Sequence, residues 1–182
     1  QSEVNYEYDN PFGEERHWYE NGQLSFEQKF KDASNDSFLR RMYNNGQLMY
    51  EAKSTSTNKA LQEWHWYENS QLKYEMKHIP NHRFCWSWFY KHDVLKPLNN
   101  GSKGFEVEYQ EFNPLRITDG YLKKWNENGQ LEIEENYKEG RLHGLTRWWY
   151  PNAQIRGEMN YEKGRQNGVS RWWHSNGQLE YE

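Results

Sequence analysis

The sequence predicts an all-β protein, an elongated antiparallel sheet of tandem β-hairpin repeats of about 24 residues. A peptide Asn-Gly-Gln-Leu, or a near copy, places its Gln at 23, 47, 71, 130, 154 and 178, so the spacing is 24 residues except across one long gap. Trp, Tyr and Phe make up 18% of the chain, which favours strands. No stretch spaces its apolar residues at the helical period for ten or more positions.

Each copy lies between two runs of aromatic and branched residues. Asn-Gly in that setting predicts a β-hairpin, because both central residues of a type I′ turn need positive φ. A second pair of glycines, within 138–144 and again within 162–168, predicts return turns between the C-terminal units. Polar runs at 32–36 and 55–59 replace that pair in the N-terminal units, so longer and more mobile connections are expected there.

The units divide the chain into three parts of one continuous array. Residues 1–78 hold three N-terminal units, and residues 122–182 hold three C-terminal units. Residues 79–121 hold a degenerate unit, with its copy of the motif at 89–95, and an insertion. Seven units are therefore expected in the array.

The pleat predicts which side chains share a face. With a two-residue turn, His17 faces Phe26, Trp18 faces Ser25 and Tyr19 faces Leu24. One face then carries Tyr19, Leu24 and Phe26 with their equivalents, and is expected to be the inward, stacking face. The opposite face carries a tryptophan ladder (Trp18, Trp66, Trp125, Trp149 and Trp173, with Met42 and Phe89 at the same position) and a glutamate ladder (Glu27, Glu51, Glu75, Glu134, Glu158 and Glu182).

Two interpretations of these ladders remain open. The tryptophans could be cross-strand packing residues, with the glutamates a solvated rim that prevents edge-to-edge pairing. Alternatively, the strip binds an extended peptide, a protein partner or a glycan, since Trp anchors many interfaces. The aromatic run at 83–90, with Trp86, Trp88 and Phe89, is a second candidate for partner binding. It could equally be packing that joins the two blocks of units.

The recurring Trp-Tyr-x-Asn-Gly-Gln-Leu, followed by Tyr-x-x-Gly-x-x-x-Gly, resembles the variant form of the MORN repeat, which is common in bacterial proteins. The resemblance covers roughly residues 17 to 182 and is strongest in the last three units. It implies an extended sheet of successive hairpins that acts as a scaffold or binding module and not as a catalyst. Many bacterial proteins with this variant repeat are labelled antitoxins, and the resemblance carries that label as an alternative.

The residues themselves give no sign of an enzyme. The single cysteine, Cys85, has no disulfide partner, and with His82 it gives two ligands where a structural zinc site needs four. The chain has no phosphate-binding glycine loop, serine nucleophile elbow or His-Glu-x-x-His motif. We expect no catalytic residue, no metal and no cofactor.

Charge and hydropathy narrow the partners. The net charge is -4 and no basic block exceeds two residues, so nucleic acid is not an expected ligand. No apolar run reaches the length of a membrane span, so direct membrane insertion is not expected. An acidic, aromatic surface suits a basic protein partner or an extended peptide, with a glycan as the alternative.

The two ends of the sequence add expectations about setting. The chain begins at Gln1 without Met, which favours a bacterial periplasmic or cell-surface location, whereas an antitoxin would be cytoplasmic. The last unit stops at Glu182, so its strand is expected to be an open edge. The sequence therefore predicts a non-enzymatic scaffold that binds a protein in an extracytoplasmic complex.

Overall fold

The structure is a computed structural model that describes residues 2–7, 10–29, 37–54, 61–78, 93–97, 105–109, 117 and 119–182. These residues form strands and turns, and none of them is helical. The strands are β1 Ser2–Glu7, β2 Asn10–Trp18, β3 Leu24–Lys29, β4 Ser37–Met42, β5 Leu48–Ser54, β6 Leu61–Trp66, β7 Leu72–His78, β8 Asp93–Pro97, β9 Phe105–Tyr109, β10 Gly120–Trp125, β11 Leu131–Lys138, β12 Arg141–Leu142, β13 Gly144–Trp149, β14 Ile155–Glu162, β15 Arg165–Trp173 and β16 Leu179–Tyr181.

One open antiparallel sheet contains 14 of these strands, in the order β1-β2-β3-β4-β5-β6-β7-β10-β11-β13-β14-β15-β16, with β12 pairing with β11. Apart from β8, β9 and β12, strands that follow one another along the chain are neighbours in the sheet, because each hairpin adds two strands to the edge left by the previous one. The predicted all-β array of hairpin repeats is confirmed.

The sheet passes directly from the third unit to the fourth. β7 pairs with β10, with Tyr74 opposite Lys124, so the units around Gln71 and Gln130 are adjacent despite the long gap between them in sequence. β8 and β9 pair with each other in a separate two-stranded sheet. The degenerate copy at 89–95 thus supplies no strand between β7 and β10, and the main sheet holds six units with the repeat motif. The division at 78 and 121 stays a prediction.

The turn at Asn-Gly differs from the predicted type I′. In the first unit the Gly22 amide donates to the Tyr19 carbonyl (3.0 Å), and the Tyr19 amide donates to the Gln23 carbonyl (2.8 Å). Gly22 has a φ of +82°, and Asn21 does not have a positive φ. The loop is therefore a type I turn followed by one left-handed residue, a common longer hairpin connection. Asn21 serves a different purpose, since its Oδ1 accepts a hydrogen bond from the Gln23 amide at 3.0 Å.

Type I′ geometry occurs instead at the return turns. Glu139 and Gly140 have φ values of 52° and 72°, and Lys163 and Gly164 have φ values of 52° and 79°. Two successive residues of positive φ are the signature of that turn. The predicted return turns at 138–144 and 162–168 are confirmed, whereas the runs at 32–36 and 55–59 lie outside the described residues.

Substituting Gly129 with Val is expected to destabilise the protein by more than about 1 kcal/mol, because a β-branched residue resists positive φ. Gly129 has a φ of +76°, and a Cβ there would lie 2.6 Å from Oε1 of Gln71 in the preceding unit. Urea unfolding measures the change. Ala153, which already occupies the same turn position at a φ of 63°, supplies the control: Ala153→Gly should be neutral or mildly stabilising. A Gly129→Val variant as stable as the parent would contradict the argument.

Successive turns are also joined side by side. The Tyr19 hydroxyl donates to the Met42 carbonyl of the next unit at 2.6 Å, and the Tyr150 hydroxyl donates to the Trp173 carbonyl at 2.8 Å. The same bond recurs from Tyr43 to Trp66 and from Tyr67 to Trp125. In these four units the tyrosine thereby fixes the strand end that carries the next residue of the tryptophan ladder, whereas the fourth unit has Asn126 at this position.

The register places one residue of each strand in a single row across the face that holds the core. We call this side the aromatic face; its row is His17, Phe26, Arg41, Tyr50, His65, Tyr74, Lys124, Ile133, Trp148, Gly157, Trp172 and Tyr181. Strand alternation puts the buried Leu39, Ala52, Leu61, Met76 and Leu122 on the same side. The predicted stacking face is confirmed for Phe26 and its equivalents. It is wrong for Leu24, which pairs with Trp18 and therefore shares the opposite face, because cross-strand partners lie on one side of the sheet.

A charged and tryptophan-bearing face as the candidate binding surface

The tryptophan ladder lies on the opposite side of the sheet, which we call the charged face. Trp18 pairs with Leu24 and not with Ser25 as predicted, because β3 carries a bulge beside the turn. β2 has no extra residue between Arg16 and Trp18, so Trp18 points away from the face of His17 and shares that of Arg16. Ladder residues end β2, β6, β10, β13 and β15, and all five tryptophans are partly exposed. Met42, at the same position of the second unit, is buried.

The spacing of the ladder follows from the sheet. Neighbouring strands lie about 4.8 Å apart and each unit contributes two, so successive ladder positions recur about every 10 Å. Because β7 and β10 are adjacent, Trp66 and Trp125 are successive positions although 59 residues separate them. The ladder is therefore continuous from Trp18 to Trp173.

The glutamate ladder is interleaved with a row of basic residues. Arg40 Nε lies 2.6 Å from Oε1 of Glu51, and Arg40 Nη1 lies 3.4 Å from Oε2 of Glu27. Arg171 in the same way bridges Glu158 and Glu182, at 3.3 and 3.1 Å. The row takes one residue from each of twelve strands: Glu3, Arg16, Glu27, Arg40, Glu51, Trp64, Glu75, Lys123, Glu134, Arg147, Glu158 and Arg171. We call it the charge row. Glu182, directly after β16, extends it through its ion pair with Arg171.

Four of these glutamates, Glu27, Glu51, Glu134 and Glu158, are accordingly neither a solvated rim nor an unpaired acidic strip. The side chains of Glu27 and Glu51 are only 15% and 10% exposed. Burial opposes ionisation of Glu51, but hydrogen bonds from Lys53 and Arg40 outweigh it and lower the pKa of this carboxyl. Glu134 and Glu158 each lie between two cations as well. The arginine partners are 38–43% exposed, and ion pairs with an exposed partner contribute about 0.2–1 kcal/mol each. The pairs therefore order the side chains of the row more than they stabilise the fold.

Glu75 differs from the other glutamates of the row. Its Oε1 accepts a hydrogen bond from the Tyr121 hydroxyl at 2.7 Å. Burial, together with this bond to a carboxylate, raises the pKa of Tyr121 to about 12. Within the part of the chain that the structure describes, Glu75 has no ion pair.

The sequence reasoning missed the basic half of the charge row. Arg16, Arg40, Arg147 and Arg171 follow the same 24-residue period as the motif, with Lys123 in the fourth unit. That shared period was the signal that could have identified these basic residues. The sequence reasoning also missed Trp148 and Trp172, which stack on the aromatic face with ring centroids 5.3 Å apart.

The remaining predicted candidates, Trp86, Trp88 and Phe89, lie outside the described residues. Among the residues that the structure does describe, no group of three or more His, Cys, Asp or Glu is arranged to hold a metal ion. The same residues include no helix of the length and apolarity needed to cross a bilayer.

Comparison with known families gives one match. A family model for the MORN repeat variant matches residues 13–32, 118–139, 142–163 and 166–182. A comparison with curated proteins found no match. The matched segments correspond to the first and last three units, and the register shows that the units around Gln47 and Gln71, outside the matches, pair in the same way. MORN repeats are in general protein- or membrane-binding modules without catalytic activity.

Proposed function

We propose that the chain is a non-enzymatic scaffold that binds a protein partner along the charged face, with the tryptophan ladder as its anchors. The observation that carries the proposal is the single register that brings a partly exposed tryptophan to the same place in five of the six units. Trp is among the residues that contribute most to protein interfaces, because it buries a large rigid surface at low entropic cost.

Rigidity of the surface supports this proposal. Tyr hydroxyls hold the Trp66, Trp125 and Trp173 carbonyls, and the charge row fixes the neighbouring side chains. A surface that is already ordered loses little conformational entropy on binding. The repeat of about 10 Å suits a partner that extends along the sheet and meets equivalent positions in succession.

The cellular location of the complex is part of the proposal. We propose that it lies outside the cytoplasm, in the periplasm or at the cell surface. The second candidate is a cytoplasmic antitoxin that neutralises a toxin by direct binding, and the net charge of -4, which would suit a basic toxin, favours it. A glycan-binding module is the third, since sugar rings also stack on exposed tryptophans.

Replacing Trp149 and Trp173 together with Ala is expected to weaken partner binding at least about tenfold, as loss of anchor residues does. The tagged chain would be used as bait against envelope and cytosolic fractions of its native cells, and the captured protein then titrated against both forms. The double variant should retain the strand signal of the parent in circular dichroism.

The matched control replaces two exposed residues away from the ladder with Ala: Lys138, which precedes one return turn, and Lys163, the first central residue of the other. It should bind as the parent does. Equal affinity of the ladder variant and the parent would overturn the proposal. A captured envelope protein supports the scaffold, a small basic cytosolic protein supports the antitoxin, and saturable binding of a sugar without any protein supports the glycan module.

A further inference from the structure

The charge row alternates acid and base at every strand except one. The third unit has Trp64 where the other units have Arg16, Arg40, Lys123, Arg147 and Arg171. Trp64 lies on β6, directly opposite Glu51 on β5 and Glu75 on β7. The repeat therefore omits one cation and leaves two carboxylates beside an indole ring.

The negative charge of Glu51 is neutralised by two cations that do not belong to β6. Its Oε1 binds Arg40 at 2.6 Å and its Oε2 binds Lys53 Nζ at 2.9 Å. Lys53 Nζ also lies 5.6 Å from the centroid of the Trp64 ring. An ammonium of the chain itself thus already lies near this indole, on the β5 side.

Glu75 has no such compensation. Lys123 stands opposite it in register, but Lys123 Nζ lies 3.4 Å from Glu134 and 5.6 Å from the centroid of the Tyr121 ring. Lys77, two residues further along β7 on the same face, makes no ion pair with Glu75 in the described structure. In the described structure the side chain of Glu75 accepts a hydrogen bond from the neutral Tyr121 hydroxyl.

From this geometry we propose that Trp64 and Glu75 bind an arginine side chain of the protein partner, which supplies the cation that the repeat omits. Both residues are partly exposed. A guanidinium stacks on an indole and donates two hydrogen bonds to one carboxylate, so it fits this pair better than an ammonium does. Trp66, two residues from Trp64, lies on the same face, which makes the site continuous with the tryptophan ladder. The inference rests on the proposed function and names the chemistry of one contact.

The site can be tested without the partner, using N-acetylarginine amide as the probe and the uncharged isostere N-acetylcitrulline amide as its control. The indole N–H resonance of Trp64 is assigned in an ¹⁵N–¹H spectrum by its absence from Trp64→Phe. The arginine probe is expected to shift this resonance with a dissociation constant on the order of 1 mM, the strength typical of a ligand of this size. The citrulline probe is expected to leave it unchanged.

Two variants complete the test. Glu75→Gln should weaken binding of the arginine probe at least fivefold. Glu158→Gln should not, because it removes a carboxylate that already has two cations, Arg147 and Arg171, and does not hold Lys123. Trp64→Arg restores the charge row from within the chain and removes the indole signal, so binding to this variant is followed at the backbone amide of Glu75. The arginine probe should no longer shift that amide, and the variant should lose no stability. Equal shifts from both probes, or an unchanged titration of Glu75→Gln, would overturn the inference.

The outcomes of this test are separable from those of the proposed function. A partner captured equally by the parent, Glu75→Gln and Trp64→Arg would refute the arginine contact and leave the scaffold standing. The opposite result is also possible. If probe binding depends on Glu75 while the Trp149/Trp173 variant binds the partner as tightly as the parent, the arginine contact is supported and the tryptophan ladder is refuted as the anchor.

Discussion

Lowering the pH from 7 to 4 is expected to destabilise the protein by roughly 3 kcal/mol through one side chain, His65. His65 lies in the middle of β6 on the aromatic face and is 7% exposed. Its ring contacts those of Tyr50 and Tyr74 edge to face, with centroids 4.7 and 5.9 Å away. Burial lowers the pKa of His65 to about 4, with Glu63 opposing the shift and Lys73 adding to it.

The direction follows from the two protonation states. A histidine in the unfolded chain titrates near pH 6.5, so above that pH His65 is neutral in both states and does not make stability depend on pH. Between pH 6.5 and 4 this histidine binds a proton in the unfolded chain but not in the folded chain, so the free energy of unfolding falls. Below pH 4 both states are protonated and the loss is complete.

Urea unfolding at intervals from pH 7 to pH 4 measures this loss, with His65→Phe as the variant that keeps the ring and removes the titration. The variant should lose about 3 kcal/mol less than the parent over that range. The matched control is His17→Phe, at the corresponding position two units earlier, where the side chain is 41% exposed. A parent and a His65→Phe variant with the same pH dependence would show that burial of this imidazole is not what limits stability in acid.

The sequence predicted the fold well because the 24-residue period encodes register. It placed His17 opposite Phe26, and the same pairing recurs in each later unit. The predicted turn type was wrong, and the residues that replace glycine in two of the units, Ser70 and Ala153, show the reason. They occupy the glycine position with φ values of 66° and 63°, so the loop needs one left-handed residue and tolerates alternatives to glycine, whereas a type I′ turn needs two such residues.

The candidate surface was only half predictable. The tryptophans and glutamates were found because they belong to or adjoin the motif. Arg40 shares their period, but the sequence does not show that it binds Glu27 and Glu51, which follows only from the position of its strand between β3 and β5. Such cross-strand partners are set by long-range pairing, which no local pattern reports. The continuity across the long gap is of the same kind, since nothing near Gln71 indicates that β10 will be its neighbour.

The Gly157→Ala substitution is expected to destabilise the protein by about 1–3 kcal/mol, the usual cost of forcing an extra carbon into a packed site. Gly157 lies in β14 between Trp148 and Trp172, which meet over it with ring planes 16° apart. A Cβ at this position would lie 2.5 Å from Cε3 and 2.7 Å from Cζ3 of Trp172. Trp172 also stacks on Tyr181 at 6.1 Å, so moving its ring disturbs the last strand as well.

A double-mutant cycle with Trp172→Leu separates this steric explanation from a backbone one. Gly157 is not among the glycines with positive φ, so its backbone accepts alanine, and in a strand alanine is otherwise the more favourable residue. In the Trp172→Leu background the Gly157→Ala change should therefore become neutral or stabilising. The near-ultraviolet circular dichroism of stacked indoles should weaken in Gly157→Ala at low urea, before unfolding begins. If the cost of Gly157→Ala is the same with and without the Trp172 ring, the strain lies in the strand, and the indole stack is not what requires glycine at this position.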